Sequence, residues 1–261
     1  MDFSGKAVLI TGSSTGIGRA SALEFAKRGA SYIGINYLRS KKDPGDAAEE
    51  TKNLVEAAGG QAVIFEGDVS AENTAAALVD SFYKEFGRID ILANCAGTTK
   101  FIDFADLDAL TTDVWQKIMS TNLYGPFFLI RAAAKIMKAQ GSGSIVNVSS
   151  LAALTTQGSS IPYNMSKTAL MHLTRCLVGT LAPEVRINCI LPGTVSDSNW
   201  FAGNADGETF KKAIHKGGEN VPLDRDGKCI DYAKAICFFA SEQAEYCTGS
   251  CLVVDGGIYN K

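Results

Sequence analysis

The sequence predicts an α/β fold, in which a doubly wound parallel sheet of about seven strands carries helices on both faces. Strand-like apolar runs and helical patterns alternate every 25 to 30 residues or so, which is typical of βαβ crossovers. A glycine-rich turn links the first strand to the first helix, and no linker, repeat or low-complexity segment interrupts the alternation. We therefore expect a single domain over residues 1–261, with 196–227 as an insertion within it.

The predicted strands are short runs rich in Val, Ile, Leu, Ala and aromatic residues, bounded by glycine, proline or polar residues. They lie at 6–11, 31–36, 61–66, 89–93, 144–148, 185–191 and 250–254. The predicted helices repeat apolar residues at helical spacing, and several end at glycine. The first follows the glycine-rich turn through residue 28, and the others lie at 46–58, 72–86, 112–139, 163–181 and 230–240. We expect a bend in the fourth, near Gly125 and Pro126.

Composition excludes several classes of partner. The chain is 46% apolar and 20% charged, with a net charge of −3, which favours neither nucleic acid nor an anionic membrane surface. No apolar run approaches the ~20 residues of a membrane span, and the N-terminus lacks the layout of a signal peptide. The seven cysteines include no C-x-x-C, and the two histidines have no ligand-like spacing. We expect a cytoplasmic protein with reduced thiols and no metal.

The turn after the first strand has the composition of a phosphate-binding loop. Gly12, Gly16 and Gly18 follow the spacing G-x-x-x-G-x-G, which differs from the G-x-G-x-x-G of many dinucleotide sites. Glycine allows a close backbone approach, and the N-terminus of the following helix offers free N–H groups. The position of the turn between strand and helix indicates phosphate binding more strongly than its glycines do.

A phenol and an ammonium lie four residues apart at Tyr163 and Lys167. On a helix this spacing places both on one face, and Pro162 suits the first turn of such a helix. A phenol beside a cation loses its proton more easily, which makes it a candidate proton donor and acceptor. Because many helices carry such a pair by chance, the pair needs support from the rest of the chain.

That support comes from the ends of the predicted strands. In an open parallel sheet, ligands bind beyond the carboxyl ends of the strands. The residues with useful chemistry or backbone freedom fall at those ends: Gly12, Asn36, Asp68, Asn94, Ser150 and Gly193. The Tyr163/Lys167 pair follows one of these ends and therefore belongs to the same predicted cleft.

At this point the sequence resembles the short-chain dehydrogenase/reductase family over nearly its whole length. The matching segments are 11–18 (T-G-x-x-x-G-x-G), 68–69 (D-V), 94–97 (N-x-A-G), 122–125 (N-x-x-G), 163–167 (Y-x-x-x-K) and 192–193 (P-G). Cys95 replaces the second Asn that is usual in the N-N-A-G motif. The resemblance implies a Rossmann-type fold and a nicotinamide cofactor.

The resemblance also implies the roles of four catalytic residues. Tyr163 would exchange a proton with the substrate oxygen, and Ser150 would hydrogen-bond that oxygen. Lys167 would lower the pKa of Tyr163 and hold the nicotinamide ribose, and Asn122 would hold a water that connects Lys167 to solvent. We choose Ser150 over Ser149 because it stands thirteen residues before Tyr163, the usual family separation.

The choice between NAD and NADP depends on the end of the second strand. An acidic residue there would bind the ribose 2′-OH and repel a 2′-phosphate. This chain has Asn36, followed by Arg39, Lys41 and Lys42, which favours the phosphate. We predict NADP(H), with Ser14, Asn36 and Arg39 near the phosphate. NAD(H) remains the alternative if the basic loop is only solvated surface.

The complete set of cofactor contacts implied by the resemblance spans six segments. It comprises Gly12, Ser14, Thr15, Gly16, Ile17, Gly18, Asn36, Arg39, Asp68, Val69, Asn94, Ala96, Gly97, Tyr163, Lys167, Pro192, Gly193 and Val195.

The substrate is less well defined than the chemistry. Trp200, Phe201 and Phe210 in the insertion either pack under a loop or form a mobile lid over an apolar pocket. An acyl-thioester ketoreductase, a sugar or polyol dehydrogenase, and a steroid or small-ketone reductase all remain open, as does a non-catalytic cofactor-binding regulator. The long helices at 112–139 and 163–181 resemble the pair that joins subunits in the family's tetramers, so we expect a homotetramer.

Overall fold

The computed structural model describes residues 1–40, 45–198, 200 and 221–260. It confirms the predicted fold class, a seven-stranded parallel sheet with helices on both faces. The strands are β1 (Ala7–Thr11), β2 (Tyr32–Tyr37), β3 (Gln61–Glu66), β4 (Ile91–Asn94), β5 (Gly143–Val148), β6 (Val185–Pro192) and β7 (Cys251–Val254). Most strand bounds lie within one residue of the prediction, and β4 begins two residues later.

The strand order across the sheet is β3-β2-β1-β4-β5-β6-β7. The chain leaves β1 in one direction to build β2 and β3, then returns to place β4 on the other side of β1. The connection that follows β1 and the connection that follows β4 therefore lead to opposite sides of the sheet. At such a switch point the loops beyond the strands separate and leave a crevice for a ligand.

Helices cover both faces of the sheet. They are α1 (Gly16–Lys27), α2 (Asp46–Ala57), α3 (Glu72–Phe86), α4 (Thr112–Met119), α5 (Gly125–Gln140), α6 (Ile161–Cys176), α7 (Val178–Leu181) and α8 (Cys229–Ala240). One face packs α1, α2 and α8 against strand residues such as Ile10 and Ile35, and the other packs α3 and α5 against Leu9 and Leu92. Alternate residues of each strand thus enter separate apolar layers, which explains the nearly continuous apolar strands.

The two long predicted helices are each divided in the structure. Residues 120–124 form a π-helical turn between α4 and α5, so the predicted bend near Gly125 and Pro126 falls just after this turn. A Cβ on Gly125 would lie 2.9 Å from the Val69 carbonyl oxygen, so only glycine allows this close packing. The predicted helix 163–181 begins at Ile161 and separates into α6 and α7 at Leu177.

Most of the 196–227 insertion lies outside the described residues, and so do Phe201, Phe210, Lys41 and Lys42. Of the predicted lid, the structure describes Trp200 and the two ends of the insertion, residues 196–198 and 221–227. Among the described helices, none combines the length and the apolar character needed to cross a bilayer.

Candidate active site

A cavity of about 1100 Å³ opens at the carboxyl ends of the strands. A smaller cavity of about 210 Å³ shares Gly12, Leu38, Ala96 and Gly97 with it. The predicted cofactor contacts that line one or both cavities are Gly12, Ser14, Thr15, Gly16, Ile17, Gly18, Asn36, Asp68, Val69, Ala96, Gly97, Tyr163, Lys167, Pro192, Gly193 and Val195. The structure therefore brings together residues from the whole length of the chain in one elongated cleft.

The glycine-rich turn forms a tight cradle at the centre of the cleft. Gly12 has a φ of +59°, and a Cβ there would lie 2.7 Å from the Cα of Ala96. A Cβ on Gly18 would lie 2.4 Å from the Gly12 carbonyl oxygen. The turn leads directly into the N-terminus of α1, whose free N–H groups suit a pyrophosphate. The cleft therefore fits a dinucleotide in chemistry and in extent.

Asp68 lies in the smaller cavity, where the resemblance places an adenine contact. Its Oδ1 accepts hydrogen bonds from the backbone N–H and the hydroxyl of Ser70, and Lys117 Nζ lies 3.7 Å from Oδ2. Burial alone would raise the pKa of the Asp68 carboxyl, but the Ser70 hydrogen bonds and the Lys117 charge outweigh it and lower the pKa. The carboxylate is thus held ionised at the rim of the cavity.

At the end of β2, the Asn36 side chain that the sequence predicts near the cofactor's 2′-phosphate is already hydrogen-bonded within the protein. The Asn36 amide is buried, and it accepts from Gly12 N–H and donates to the carbonyls of Phe65 and Gly67. These bonds hold the glycine-rich turn to the sheet, so Asn36 shapes the cleft and its amide N–H groups are engaged by the backbone. Asn36 lines the smaller cavity, and the sequence could not show which partners its amide takes.

Arg39, also predicted near the 2′-phosphate, lines neither cavity. Its Nε lies 2.9 Å from Glu66 Oε2, and its Nη2 donates to the Tyr37 hydroxyl, which in turn bonds Glu66. Hydrogen bonding to Glu66 raises the pKa of the Arg39 guanidinium, and the same bond lowers the pKa of the Glu66 carboxyl. A carboxylate that the sequence analysis did not single out therefore accompanies the predicted phosphate-binding cation.

Asn94 and Cys95 of the N-x-A-G motif have separate roles. Asn94 lines neither cavity, and its Nδ2 donates to Asn147 Oδ1 on the neighbouring strand. Cys95 lines the large cavity, and burial raises the pKa of its thiol to about 12, although Lys167 and a hydrogen bond with Ser21 oppose the rise. The Cys95 substitution therefore leaves a neutral thiol beneath the cleft, hydrogen-bonded to α1.

The Tyr163 phenol lies at the centre of the predicted catalytic group. It is nearly buried, and it shares a hydrogen bond with Ser150, which caps the turn at 151–153. Ser149 instead donates to the Lys167 carbonyl oxygen. Burial raises the pKa of Tyr163 to about 12, and the Ser150 bond opposes that rise. The geometry thus favours Ser150 over Ser149 as the partner of the phenol.

Lys167 is buried one turn further along α6. Its Nζ donates to the Val148 carbonyl oxygen at 2.9 Å and lies 5.8 Å from the centre of the Tyr163 ring. Burial lowers the pKa of Lys167 to about 8, with the neighbouring Cys189 and Cys95 acting in the opposite direction. The expected lowering of the Tyr163 pKa by Lys167 is not found in this structure, because burial dominates both groups.

Asn122 lies in the π-helical turn and is fully buried. Its Oδ1 accepts from the backbone N–H of Thr98, and its Nδ2 donates to the Thr98 carbonyl and the Ser166 hydroxyl. A Cβ on Gly97 would lie 3.5 Å from both Asn122 Oδ1 and Lys167 Nζ, so the two side chains adjoin the same backbone. Asn122 therefore ties the backbone of Thr98 to α6, beside the predicted catalytic residues.

We expect Asn122→Ala to lower the free energy of unfolding by about 2–4 kcal/mol, because it removes three hydrogen bonds, two with the partly buried backbone of Thr98 and one with the buried Ser166 hydroxyl. Urea unfolding measures this change. Asn53→Ala, at an exposed position of α2, is the matched control and should have little effect. Equal stabilities of the two variants would contradict the positioning role of Asn122.

The wall of the cleft contains one residue of the predicted lid and several that the sequence analysis missed. Trp200 packs beside Tyr163, with ring centres 5.8 Å apart. Thr155, Gln157 and Tyr259 also line the large cavity. Tyr259 follows the last strand, so the rule that ligands lie beyond strand ends could have identified it. No local pattern marks Thr155 or Gln157, since they reach the cavity only through the turn between β5 and α6.

Comparison with known proteins places this chain among oxidoreductases. A family model described as Enoyl-(Acyl carrier protein) reductase matches residues 12–259. L-rhamnose 1-dehydrogenase (NAD(P)(+)) from a Sphingomonas species is 37% identical, over 98% of this chain and 96% of its own. Glucose 1-dehydrogenase 2 from Bacillus subtilis is 32% identical, over 98% and 96% of the two chains.

A solved structure agrees over the same extent. The NADPH-dependent 3-quinuclidinone reductase of Rhodotorula rubra superposes with a TM-score of 0.85 at 27% identity, covering 100% of this chain and 93% of its own. The similarity therefore extends over the whole chain.

Proposed function

Because the chain belongs to the short-chain dehydrogenase/reductase family, we propose that it transfers hydride between NADP(H) and a carbonyl or secondary alcohol, with Tyr163 as general acid and base. The main support for this proposal is that Ser150, Tyr163 and Lys167 line the same cavity as the glycine-rich turn, with Ser150 hydrogen-bonded to the Tyr163 phenol. We propose one catalytic domain over the whole chain, of which the insertion forms part of the substrate side.

In the proposed reaction, each residue of the cleft has a separate role. A nicotinamide dinucleotide supplies or accepts the hydride when bound. Ser150 orients the substrate oxygen, and Tyr163 gives that oxygen a proton or removes one. Lys167 provides positive charge beside the ring, and Asn122 holds the surrounding backbone in place. Because the pKa of Tyr163 is raised to about 12, the phenol keeps its proton at neutral pH, which favours carbonyl reduction there.

The walls of the cleft favour a neutral polar substrate. Among the described residues that line the large cavity, Lys167 is the one basic side chain, and there is no Asp, Glu or Arg. Thr155, Gln157 and Tyr259 offer neutral hydrogen-bonding groups, and Trp200 offers a flat apolar surface. Such a lining suits a sugar, a polyol or a small ketone better than a phosphorylated thioester. Two relatives with sugar names point the same way.

A panel of carbonyls and alcohols, run in both directions with NADP(H) and NAD(H), tests the proposal. We expect turnover of neutral aldoses, polyols or small ketones. Turnover confined to acyl thioesters would contradict the substrate class. Cofactor binding without turnover on any member would instead support a non-catalytic regulator.

Arg39 and Glu66 are proposed to set the balance between the two cofactors. The guanidinium favours a 2′-phosphate, whereas the adjacent carboxylate repels one. Both side chains are about half exposed, so solvent moderates each effect. The superposed relative named as NADPH-dependent supports NADP(H), and the relatives named for NAD(P)(+) support a mild preference.

We expect Glu66→Gln to raise the NADPH-to-NADH ratio of kcat/KM several-fold, because it removes a negative charge beside Arg39 and keeps a hydrogen-bonding side chain. Arg39→Ala should lower the same ratio. Glu56→Gln, on α2, is the control for loss of an exposed carboxylate and should leave the ratio unchanged. A fall in the ratio for Glu66→Gln would refute this assignment.

The assembly and location are also proposals. The exposed apolar side chains of Tyr124, Phe127 and Met165 lie on the π-helical turn, α5 and α6, the region expected to pair in a tetramer. We propose a homotetramer joined through this surface, in the cytoplasm. Sedimentation equilibrium measures the mass, and a monomer at micromolar concentration would contradict the tetramer.

A further inference from the structure

Two cysteines face each other outside the proposed active site. Cys189 on β6 is the direct partner of Cys251 on β7 in the parallel register. Opposed residues of neighbouring strands project from the same face, and both side chains join the apolar cluster of Met171 and Leu191 beneath α6. Both thiols are free and adjacent, and neither lines the cavity that contains Tyr163. Each also lies within hydrogen-bond distance of a backbone carbonyl oxygen, Ile190 for Cys189 and Gly249 for Cys251.

The backbone spacing of this pair permits a covalent link. Neighbouring strands lie about 4.7–4.9 Å apart, and disulfides join Cα atoms separated by about 4.4–6.8 Å. Cys189 is fully buried, whereas Cys251 is partly exposed on β7, at the edge of the sheet. A small reagent can therefore reach Cys251 first, and Cys189 lies behind it.

The surroundings distinguish the two thiols further. Hydrogen bonding to Cys189 lowers the pKa of the Cys251 thiol, burial opposes this, and Arg175 adds to the lowering. Burial raises the pKa of the Cys189 thiol, and the Lys167 charge acts against the rise. Cys251 is therefore the more readily ionised and the more exposed of the two thiols, as an attacking cysteine must be, and the buried Cys189 suits the role of the resolving cysteine.

We propose that Cys251 and Cys189 form a thiol–disulfide exchange site for small-molecule disulfides, distinct from the hydride-transfer site. The Cys251 thiolate attacks a disulfide RSSR, forms a mixed disulfide and releases one thiolate, RS⁻. That thiolate takes the proton of Cys189. The Cys189 sulfur then attacks Cys251 Sγ, which breaks the mixed bond and releases the second RS⁻. The protein loses two electrons, and the small disulfide is reduced to two thiols.

Glutathione disulfide is the probe, and the Cys176→Ser background removes an exposed thiol of α6 that would react independently. The folded protein is incubated with the probe, free thiols are alkylated, and peptides are mapped without reduction. We expect a cross-linked peptide that joins residues 189 and 251. Cys251→Ser should abolish it, and Cys189→Ala should stop at glutathione attached to Cys251.

Two results would overturn the proposal: both thiols remain fully alkylated after the incubation, or the link joins a different pair, such as one containing Cys247. If Cys189→Ala does not fold, as judged by its circular dichroism, the peptide map of the parent protein decides alone. The map does not depend on turnover, so it stands apart from the hydride-transfer proposal.

Discussion

Replacing Tyr163 by Phe should lower kcat/KM by about 10²- to 10⁴-fold, the usual contribution of a positioned general acid and base. The change removes one hydroxyl from a nearly buried side chain and leaves the ring that packs beside Trp200. It removes the hydrogen bond with Ser150, which should cost about 1 kcal/mol of stability. The fold and the affinity for the cofactor should therefore persist.

Steady-state kinetics on the best substrate of the panel measures the effect, and fluorescence titration with NADPH measures cofactor binding. Tyr246→Phe is the matched control, because that phenol is fully exposed. Wild-type turnover by Tyr163→Phe would remove Tyr163 from the mechanism. A loss that coincides with lost NADPH binding would instead assign Tyr163 to cofactor binding alone.

Replacing Lys167 by Met should lower kcat/KM by about 10- to 100-fold, as expected when a charged hydrogen-bond donor is lost. Met retains the length of the chain and removes the ammonium that donates to the Val148 carbonyl. Lys135→Met, at an exposed position of α5, is the control for removal of a lysine and should keep its activity. Equal activity of the two variants would contradict the role of Lys167.

Lys167 also predicts a pH dependence of stability. Its pKa is lowered from 10.5 to about 8 in the folded chain, so between these values the unfolded chain binds more protons than the folded one. The stability of the wild type should therefore rise with pH across this window, by up to about 3 kcal/mol relative to Lys167→Met. Urea unfolding of the two proteins at pH 7.5 and about pH 10 measures the difference. A parallel dependence in both proteins would show that Lys167 titrates normally.

The sequence alone predicted the framework of the fold with good accuracy. The bounds of β3 and α3 match the prediction, and β1 begins one residue later. Such elements are determined locally, by the spacing of apolar residues and by the glycine, proline or polar residues at their ends. The placement of Gly12, Asp68 and Gly193 at one edge followed from the parallel topology, because every strand of such a sheet ends on the same side.

The contacts that the sequence could not predict join distant segments of the chain. The amide of Asn36 bonds residues 24 and 31 positions away, and Arg39 pairs with Glu66, 27 positions away. The division of the 112–139 helix accompanies the bonds of Asn122 to Thr98 and Ser166. No periodic pattern contains this information, since each partner occupies a position that could equally have faced solvent.

For the Tyr163 and Lys167 pair, sequence determined the residue types, their spacing and their place after the fifth strand. Local chemistry and topology are sufficient for that. The spacing to Tyr163 also favoured Ser150. Only the tertiary structure decided that Ser149 bonds the helix instead, and that burial raises the pKa of Tyr163 and lowers the pKa of Lys167. Desolvation depends on everything packed around a group, so the proton affinities of this site are properties of the fold.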